Sequence, residues 1–120
     1  AKRRQWAAFY AESLASISWL QMPTQPTSGR HAWQAFVTRV TADVDRNSVM
    51  AQLFERGIST RPGTHAIHML GHYQDLFGFV DDSFPHSRDC ELQTMALPLH
   101  NRMTSEDFEQ VIAALHSIQT

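Results

Sequence analysis

Apolar residues recur at helical spacing along several stretches of the chain and predict most of its helices. Residues 2–17 carry apolar side chains three and four positions apart, which predicts an amphipathic helix. A second helix is expected to begin after Asp45, whose carboxylate is a suitable N-cap, and to end at Gly57. A third is expected to begin at Ser83 or Pro85.

The clearest helical pattern lies near the C-terminal end of the sequence. Thr104 is followed three residues later by Asp107, which resembles a capping box with Asp in place of the usual Glu. The apolar residues that follow fall on one continuous helical face; they are Phe108, Val111, Ile112, Leu115 and Ile118. This pattern predicts an amphipathic helix.

Strands are predicted where aromatic and β-branched residues cluster without a helical period. The stretch His31–Val40 predicts a strand that is apolar on both faces and lies inside a sheet covered by helices. Shorter strands are predicted at Ile58–Thr60 and Met95–Leu99. The two prolines and the glycine of residues 21–29 predict a loop.

Helices interleaved with short strands predict an α/β or α+β fold, in which helices pack on a small sheet of short strands. Residues 61–80 show no clear period, and either His65–Leu70 or Tyr73–Phe77 is expected to be helical. A chain of 120 residues has the length of one domain, so we expect residues 1–120 to form a single domain.

Composition narrows the class of protein. Apolar residues make up 42% of the chain and charged residues 18%, and the net charge is −2. These values give no electrostatic reason to expect a nucleic acid or an anionic membrane as a partner. One cysteine, Cys90, excludes an internal disulfide framework. We therefore expect a soluble, cytoplasmic domain.

Two groups of reactive side chains have simple structural explanations. His65, His68 and His72 would share one helical face, a spacing that can bind zinc. No carboxylate lies within the trio, so we expect hydrogen-bonding histidines rather than a metal site. Cys90 lies one helical turn after His86, which could stabilise a thiolate, but its charged neighbours are typical of a solvated face.

Arg61 is the candidate binding residue that the pattern favours. It follows the predicted strand Ile58–Thr60 and precedes Pro62-Gly63, so a rigid turn is expected to hold it at the edge of the sheet. A forked guanidinium suits a carboxylate or a phosphate. An ordinary surface arginine is the alternative that the spacing leaves open.

The order of the segments resembles one enzyme family, and three motifs carry the resemblance. They are the strand signature at His31-Ala32-Trp33, the middle motif at Gly57-Ile58-Ser59-Thr60 with His68 and Tyr73, and the closing motif at Leu97-Pro98-Leu99-His100 with Met103-Thr104 and Val111-Ile112. In this order they resemble the C-terminal domain of DegT/DnrJ/StrS-type sugar aminotransferases. These are pyridoxal-phosphate enzymes of fold type I, the aspartate aminotransferase superfamily.

The resemblance implies a reaction and also implies that part of the enzyme lies outside this chain. Such enzymes aminate a keto-sugar nucleotide with an amino donor, commonly glutamate, and are usually homodimers. Their cofactor-binding lysine lies in a larger N-terminal domain. Lys2 is the only lysine here and begins a predicted exposed helix. We therefore expect a fragment of a larger enzyme that neither binds pyridoxal phosphate nor catalyses transamination by itself.

The middle motif also departs from the family. The family commonly has His and an aromatic residue where this chain has Gly63 and Thr64. In the family this segment lies near the mouth of the active site, where the sugar nucleotide enters. The resemblance therefore implies that Arg61, His65 and His68 bind substrate, with Arg61 on an anionic group. No catalytic, cofactor-binding or metal-binding residue is assigned within the chain.

Two other functions stay open at this point. Some relatives lack the lysine and act as pyridoxamine-dependent dehydratases or as regulators. Alternatively, the chain could be a stand-alone, non-catalytic module that uses the same fold to bind a partner.

Overall fold

A computed structural model describes residues 2–120, which form five α-helices and one four-stranded antiparallel sheet. The helices are α1 (Lys2–Ser13), α2 (Arg46–Glu55), α3 (Gly71–Phe77), α4 (Pro85–Gln93) and α5 (Ser105–His116). The strands are β1 (Leu20–Gln21), β2 (Phe36–Val40), β3 (Arg61–Pro62) and β4 (Thr94–Leu97). Short 3-10 helices lie at Ile67–Met69 and Asp81–Ser83. The predicted small sheet packed with helices is confirmed, and its antiparallel pairing makes it α+β.

The sheet order is β1-β2-β4-β3, so β2 and β4 are central and β3 is an edge strand. Thr38 lies opposite Met95, and Arg61 lies opposite Ala96. Because side chains alternate along a strand, Thr38 faces the core, whereas Arg61 and Ala96 share the opposite face with Val37.

Strand β2 corrects one prediction. It begins at Phe36 rather than His31, and it is not apolar on both faces. Phe36, Thr38 and Val40 are buried, but Arg39 on the other face is exposed. Residues 31–35 are irregular, since Trp33 adopts a left-handed backbone with φ of 51°.

Aromatic side chains join the helices to the buried face of the sheet. The ring of Trp6 on α1 stacks on Phe108 of α5, with centroids 4.0 Å apart. Tyr10, one turn further along α1, packs against Phe108 at 4.9 Å and against Phe36 of β2 at 5.2 Å. Tyr10, Phe36 and Phe108 are all fully buried. Helices α1 and α5 therefore cover one face of the sheet, as the apolar stripe of α5 predicts.

The predicted helix starts are confirmed, and those of α2 and α5 have capping contacts. The Asp45 carboxylate accepts the Asn47 N–H at 2.9 Å, and Gly57 follows α2 with φ of 79°. Thr104 and Asp107 form the reciprocal capping box of α5. Pro85 is the first residue of α4.

Other boundaries differ from the predictions. Helix α1 ends at Ser13, four residues before the predicted end. Residues 58–60 lie outside the sheet, and the strand predicted there is displaced to Arg61–Pro62. Both segments proposed as helical within residues 61–80 contain helix, a 3-10 turn in the first and most of α3 in the second. Within residues 2–120, each helix is too short or too polar to cross a lipid bilayer.

Candidate substrate-binding site

A cavity of about 220 Å³ lies beside strand β3 and contains Arg61 in its wall. Three segments that are distant in sequence line this edge cavity: residues 34–35, 59–61 and 96–99. They meet because β4 pairs with β2 on one side and with β3 on the other. The candidate site is therefore a product of the sheet topology.

Arg61 is held at the cavity by the pairing of β3 with β4. Its backbone lies opposite Ala96, and the N–H of Gly63 donates to the Thr94 carbonyl at 3.2 Å, which extends the pairing past Pro62. The side chain of Arg61 is exposed. Among residues 2–120, no carboxylate forms an ion pair with its guanidinium. An edge-strand arginine without an internal partner can accept an anionic group of a ligand.

Thr60, the neighbour of Arg61, contributes a polar group that the described part of the chain does not satisfy. Its Oγ1 is buried without a hydrogen-bond partner among residues 2–120. A buried hydroxyl without a partner destabilises a folded protein. Because Thr60 lines the edge cavity, an oxygen or nitrogen of a bound ligand could supply the missing partner.

Gln34 lines the edge cavity and directly follows Trp33, whose backbone is strained. Trp33 has a left-handed backbone and is nearly fully buried. The Trp33 N–H donates to Nδ1 of His31 at 2.9 Å. Arg3 on α1 donates to the carbonyls of Trp33 and Gln34, at 3.4 and 3.3 Å. These contacts fix the backbone that carries Gln34 into the cavity wall.

A buried side chain also holds the part of the edge cavity wall that Pro98 forms. The Tyr10 hydroxyl donates to the carbonyl of Pro98 at 2.9 Å. Burial, with a smaller contribution from the charge of Asp107, raises the pKa of Tyr10 well above its usual range. The phenol therefore stays protonated and holds Pro98 in place at physiological pH.

His65 and His68 line a second cavity of about 320 Å³, together with Phe79 and Phe84. None of the residues around this cavity also lines the edge cavity. The structure therefore brings the two histidines together and places Arg61 separately. His65 is 70% exposed, and its Nδ1 lies 3.5 Å from Oε1 of Glu91 on α4.

His68 is buried, unlike His65. Its Nε2 donates to the carbonyl of Asp81 at 2.8 Å, and its ring lies edge-on to Phe84 with centroids 5.1 Å apart. These contacts join the two 3-10 helices. The predicted contact between His68 and substrate stays a prediction, for which only Nδ1 of the ring is available.

The other reactive groups lie on separate elements. His65 precedes the first 3-10 helix, His68 is within it, and His72 is in α3. In the part of the chain that the structure describes, no three His, Cys, Asp or Glu side chains converge as metal ligands would. Cys90 is half-buried on α4, where its carbonyl accepts the Thr94 hydroxyl at 2.6 Å.

Sequence reasoning missed three residues of these sites, and only two of them, Gln34 and Thr60, had a signal. Gln34 lies within the strand signature, and Thr60 lies within the middle motif, but both were interpreted as strand residues. The charged neighbours of Cys90, which include Glu91, predict a solvated face, whereas the Glu91 side chain is only 22% exposed. Its position in the last turn of α4, facing the loop after Arg61, depends on tertiary packing.

The described chain does not offer a site for pyridoxal phosphate. An enclosed primary amine is the group that binds this cofactor covalently, as a Schiff base. Lys2, the only lysine, is exposed in the first turn of α1. The side chains of residues 2–120 therefore do not fit covalent attachment of pyridoxal phosphate.

This chain is similar to known proteins in both sequence and fold. The model of the DegT/DnrJ/EryC1/StrS aminotransferase family matches residues 1–116. The spore coat polysaccharide biosynthesis protein SpsC of Bacillus subtilis is 31% identical over 121 residues, which cover 98% of this chain and 31% of that protein. The chain thus spans less than a third of the length of this relative.

Two solved aminotransferase structures are similar to this chain in fold, and the chain covers less than a third of each. The aminotransferase TlmJ from Streptoalloteichus hindustanus superposes with a TM-score of 0.82 at 25% identity, covering 95% of this chain and 30% of TlmJ. Spr1654 of Streptococcus pneumoniae, a proposed sugar aminotransferase solved in its PLP form, gives 0.84 at 21% identity, with 95% and 29% covered. The second likeness shows the fold alone.

Proposed function

This chain belongs to the DegT/DnrJ/EryC1/StrS aminotransferase family, and we propose that it is the substrate-binding C-terminal domain of an enzyme that aminates a keto-sugar nucleotide. The match over residues 1–116 supports the family chemistry. The likeness to SpsC, a polysaccharide biosynthesis protein, supports a sugar substrate. The amino donor in this proposal is an amino acid such as glutamate.

The cofactor in this proposal is pyridoxal phosphate, bound by polypeptide beyond these residues. When bound, it supplies the electron sink and the carrier for the transferred amino group. The exposed position of Lys2 supports the view that residues 1–120 alone neither hold the cofactor nor transaminate. The 31% coverage of SpsC supports a longer parent protein.

The role of this domain in the proposed enzyme is to bind the anionic part of the substrate. The observation that carries the role is Arg61, an exposed guanidinium at the mouth of the edge cavity with no internal ion pair among residues 2–120. Gln34 and the unpartnered hydroxyl of Thr60 lie in the same wall. A phosphate or carboxylate on Arg61 would place neighbouring polar groups of the substrate near these side chains.

An exposed apolar surface is the proposed contact with the rest of the parent polypeptide. Among residues 2–120, eight of the ten exposed large apolar side chains fall within residues 67–92. They are Ile67, Leu70, Tyr73, Leu76, Phe77, Val80, Phe84 and Leu92. Helices α3 and α4 contain no buried residue. A concentration of exposed apolar side chains in one part of a chain is typical of a protein interface, and the parent polypeptide is the occupant that the coverage of the relatives favours.

The test uses the parent protein, purified with pyridoxal phosphate. Addition of glutamate should convert the cofactor spectrum to that of the pyridoxamine form, and a keto-sugar nucleotide should reverse the change. Arg61→Ala should raise KM for the sugar nucleotide and leave the glutamate step unchanged, whereas Arg4→Ala, which removes an exposed arginine of α1, should change neither.

Three outcomes would contradict the proposal. A parent protein without a cofactor-binding lysine would favour the dehydratase or regulator. A native product consisting of these residues alone would favour the binding module. An unchanged KM in Arg61→Ala for every anionic substrate would exclude Arg61 from the substrate site.

A further inference from the structure

A third cavity, of about 600 Å³, adjoins the edge cavity on the side away from Arg61. This loop cavity is formed mostly by the loop of residues 23–32. Gln34 and Ala35 line both the loop cavity and the edge cavity. The two cavities are therefore neighbours that share one wall, and a ligand that fills the edge cavity meets the loop cavity next to it.

The sheet connects the same two cavities a second time. Val37 of β2 lines the loop cavity, and it lies opposite Ala96 of β4, which lines the edge cavity. Ala96 in turn lies opposite Arg61 of β3. Because paired strands lie about 4.8 Å apart, the step from β2 to β3 is about 10 Å. The two cavities therefore lie side by side on the face of the sheet opposite the core, within reach of one extended ligand.

The charged groups of the loop cavity suit an anion. Arg30 and His31 lie in its wall beside the hydroxyl of Ser28. Among residues 2–120, no Asp or Glu lines either the loop cavity or the edge cavity. Within the same described range, no carboxylate forms an ion pair with Arg30. A guanidinium in such surroundings can bind a phosphate through two parallel hydrogen bonds.

His31 adds an N–H donor to the loop cavity because its other ring nitrogen is already used. Nδ1 accepts the backbone N–H of Trp33 at 2.9 Å. A ring nitrogen that accepts a hydrogen bond carries no proton, so the proton of the neutral ring lies on Nε2. The His31 ring lines the loop cavity, and Nε2–H is the group that it can donate to a ligand there.

We propose that the loop cavity is a second anion-binding subsite, in which Arg30 and His31 bind a phosphate group of the substrate whose other anionic group Arg61 binds in the edge cavity. A sugar nucleotide contains a diphosphate, so one molecule supplies a phosphate for each arginine. Gln34, in the shared wall, lies between the two subsites. This inference rests on the proposed function, because it takes the substrate to be a sugar nucleotide.

Binding of inorganic diphosphate to the 120-residue chain tests the subsite without any transamination. In an NMR titration, the backbone amides of Gly29 and Arg30 should shift together with that of Arg61. Arg30→Ala should raise Kd for diphosphate roughly five- to tenfold, because a charge-assisted hydrogen bond is lost. Arg4→Ala removes the same charge from an exposed position on α1 that lines neither cavity, so its Kd should stay within about twofold.

Two outcomes of the titration would overturn the inference. Equal weakening in Arg30→Ala and Arg4→Ala would mean that diphosphate responds only to the total charge of the chain. Shifts at Arg61 without shifts at residues 28–31 would mean that the edge cavity binds the anion alone.

Kinetics of the parent enzyme test whether the subsite serves the substrate. Arg30→Ala should raise KM for the sugar nucleotide roughly five- to tenfold, whereas Arg30→Lys, which keeps the charge but not the planar fork, should have a smaller effect. The KM for the amino donor should stay within about twofold in both variants, because an amino acid such as glutamate carries no phosphate. An unchanged KM for the sugar nucleotide in Arg30→Ala would overturn the inference.

Failure of the proposed function can be distinguished from failure of the subsite. A parent protein that does not transaminate would overturn the proposed function. The diphosphate titration of the 120-residue chain would then decide separately whether Arg30 binds an anion.

Discussion

Gly63 lies so close to Thr94 that the structure leaves no room for a side chain between them. A Cβ on Gly63 would be 2.5 Å from Oγ1 of Thr94 and 2.5 Å from Cγ1 of Val37. The Thr94 hydroxyl is held in turn by its bond to the Cys90 carbonyl. The segment after Arg61 can therefore lie flat on the sheet only because residue 63 is glycine. Any residue with a Cβ at position 63 would therefore have to displace Thr94 or Val37.

Gly63→Ala is accordingly expected to destabilise the fold. The added methyl group must displace two packed side chains, which typically costs about 1–3 kcal/mol. Gly71→Ala is the matched control, because a Cβ at Gly71 meets nothing within 4 Å and the change favours helix formation slightly. Urea unfolding of the 120-residue chain measures both. Equal unfolding free energies for the two variants would show that Gly63 tolerates a side chain.

Helix ends could be predicted from the sequence because their signals are local. Asp45 bonds to a backbone N–H two residues away, and Thr104 and Asp107 bond to each other across one turn. Such contacts form within a few residues whatever the remainder of the fold does. The apolar stripe of α5 likewise depends only on spacing.

Strand β2 began later than predicted because distant residues fix the turn before it. Aromatic and β-branched residues give the whole stretch His31–Val40 a strand propensity. The left-handed backbone of Trp33 interrupts the strand, and Arg3 holds the turn from about thirty positions away. A non-local contact of this kind leaves no periodic signal in the sequence.

The candidate site shows the same division between local and non-local information. Arg61 was predicted at the edge of the sheet beside a rigid Pro62-Gly63 turn. Strand β3 is an edge strand, but Pro62 belongs to that strand and Gly63 extends its pairing, so the predicted turn is wrong. Gln34 and Thr60 join it only through the pairing of β4 with both neighbours. Glu91 contacts His65 although 26 positions of sequence separate the two residues. These contacts arise from the packing of segments that are distant in sequence. They therefore cannot be predicted from the residue spacing within one segment.

Substitutions of His31 should separate its two contacts with Trp33. His31→Phe keeps an aromatic ring near Trp33, whose centroid lies 4.2 Å from that of His31, but it removes the acceptor for the Trp33 N–H. The unpaired donor should lower the unfolding free energy by about 1–3 kcal/mol. His31→Asn supplies an oxygen that can accept an N–H two residues on, so it should retain more stability.

Urea unfolding of the His31 variants gives the comparison directly. If the phenylalanine variant is the more stable of the two, ring packing rather than the hydrogen bond holds the turn. The parent enzyme offers a second measurement, since a loosened turn should displace Gln34 in the edge cavity wall and raise KM for the sugar nucleotide.

The buried phenol of Tyr10 predicts a loss of stability in alkaline solution. Its pKa in the folded chain is raised by burial, whereas in the unfolded chain it returns to about 10. Below pH of about 10 both states keep the proton, and its stabilising contact with Pro98 is fully present. Above that pH the unfolded state releases a proton that the folded state retains. The unfolding free energy should then fall by up to about 1.4 kcal/mol per pH unit, until the folded pKa is reached.

The variant Tyr10→Phe measures how much the Tyr10 hydroxyl contributes to the unfolding free energy. Near neutral pH it should be less stable than the unmodified chain by about 1 kcal/mol, because the bond to the Pro98 carbonyl is lost. Above pH of about 10 the gap between the two proteins should narrow as the unmodified chain loses stability. Chemical unfolding across this range measures the difference. A gap that stays constant with pH would mean that the Tyr10 hydroxyl titrates alike in both states.

The last prediction concerns the hydroxyl of Thr60, whose removal should raise stability but weaken substrate binding. Thr60→Val keeps the shape of the side chain and removes a buried group that lacks a partner, so the unfolding free energy should be unchanged or rise by about 1 kcal/mol. Thr38→Val is the matched control, because its hydroxyl donates to the Met95 carbonyl at 3.0 Å, and it should lose about 1 kcal/mol.

In the parent enzyme Thr60→Val should raise KM for the sugar nucleotide, because the substrate would lose the partner that the edge cavity provides. A gain in stability combined with weaker binding is typical of a polar group kept for a ligand. Equal destabilisation by Thr60→Val and Thr38→Val would show that the Thr60 hydroxyl is satisfied within the protein. Binding of the anionic group would then depend on Arg61 without help from its neighbour.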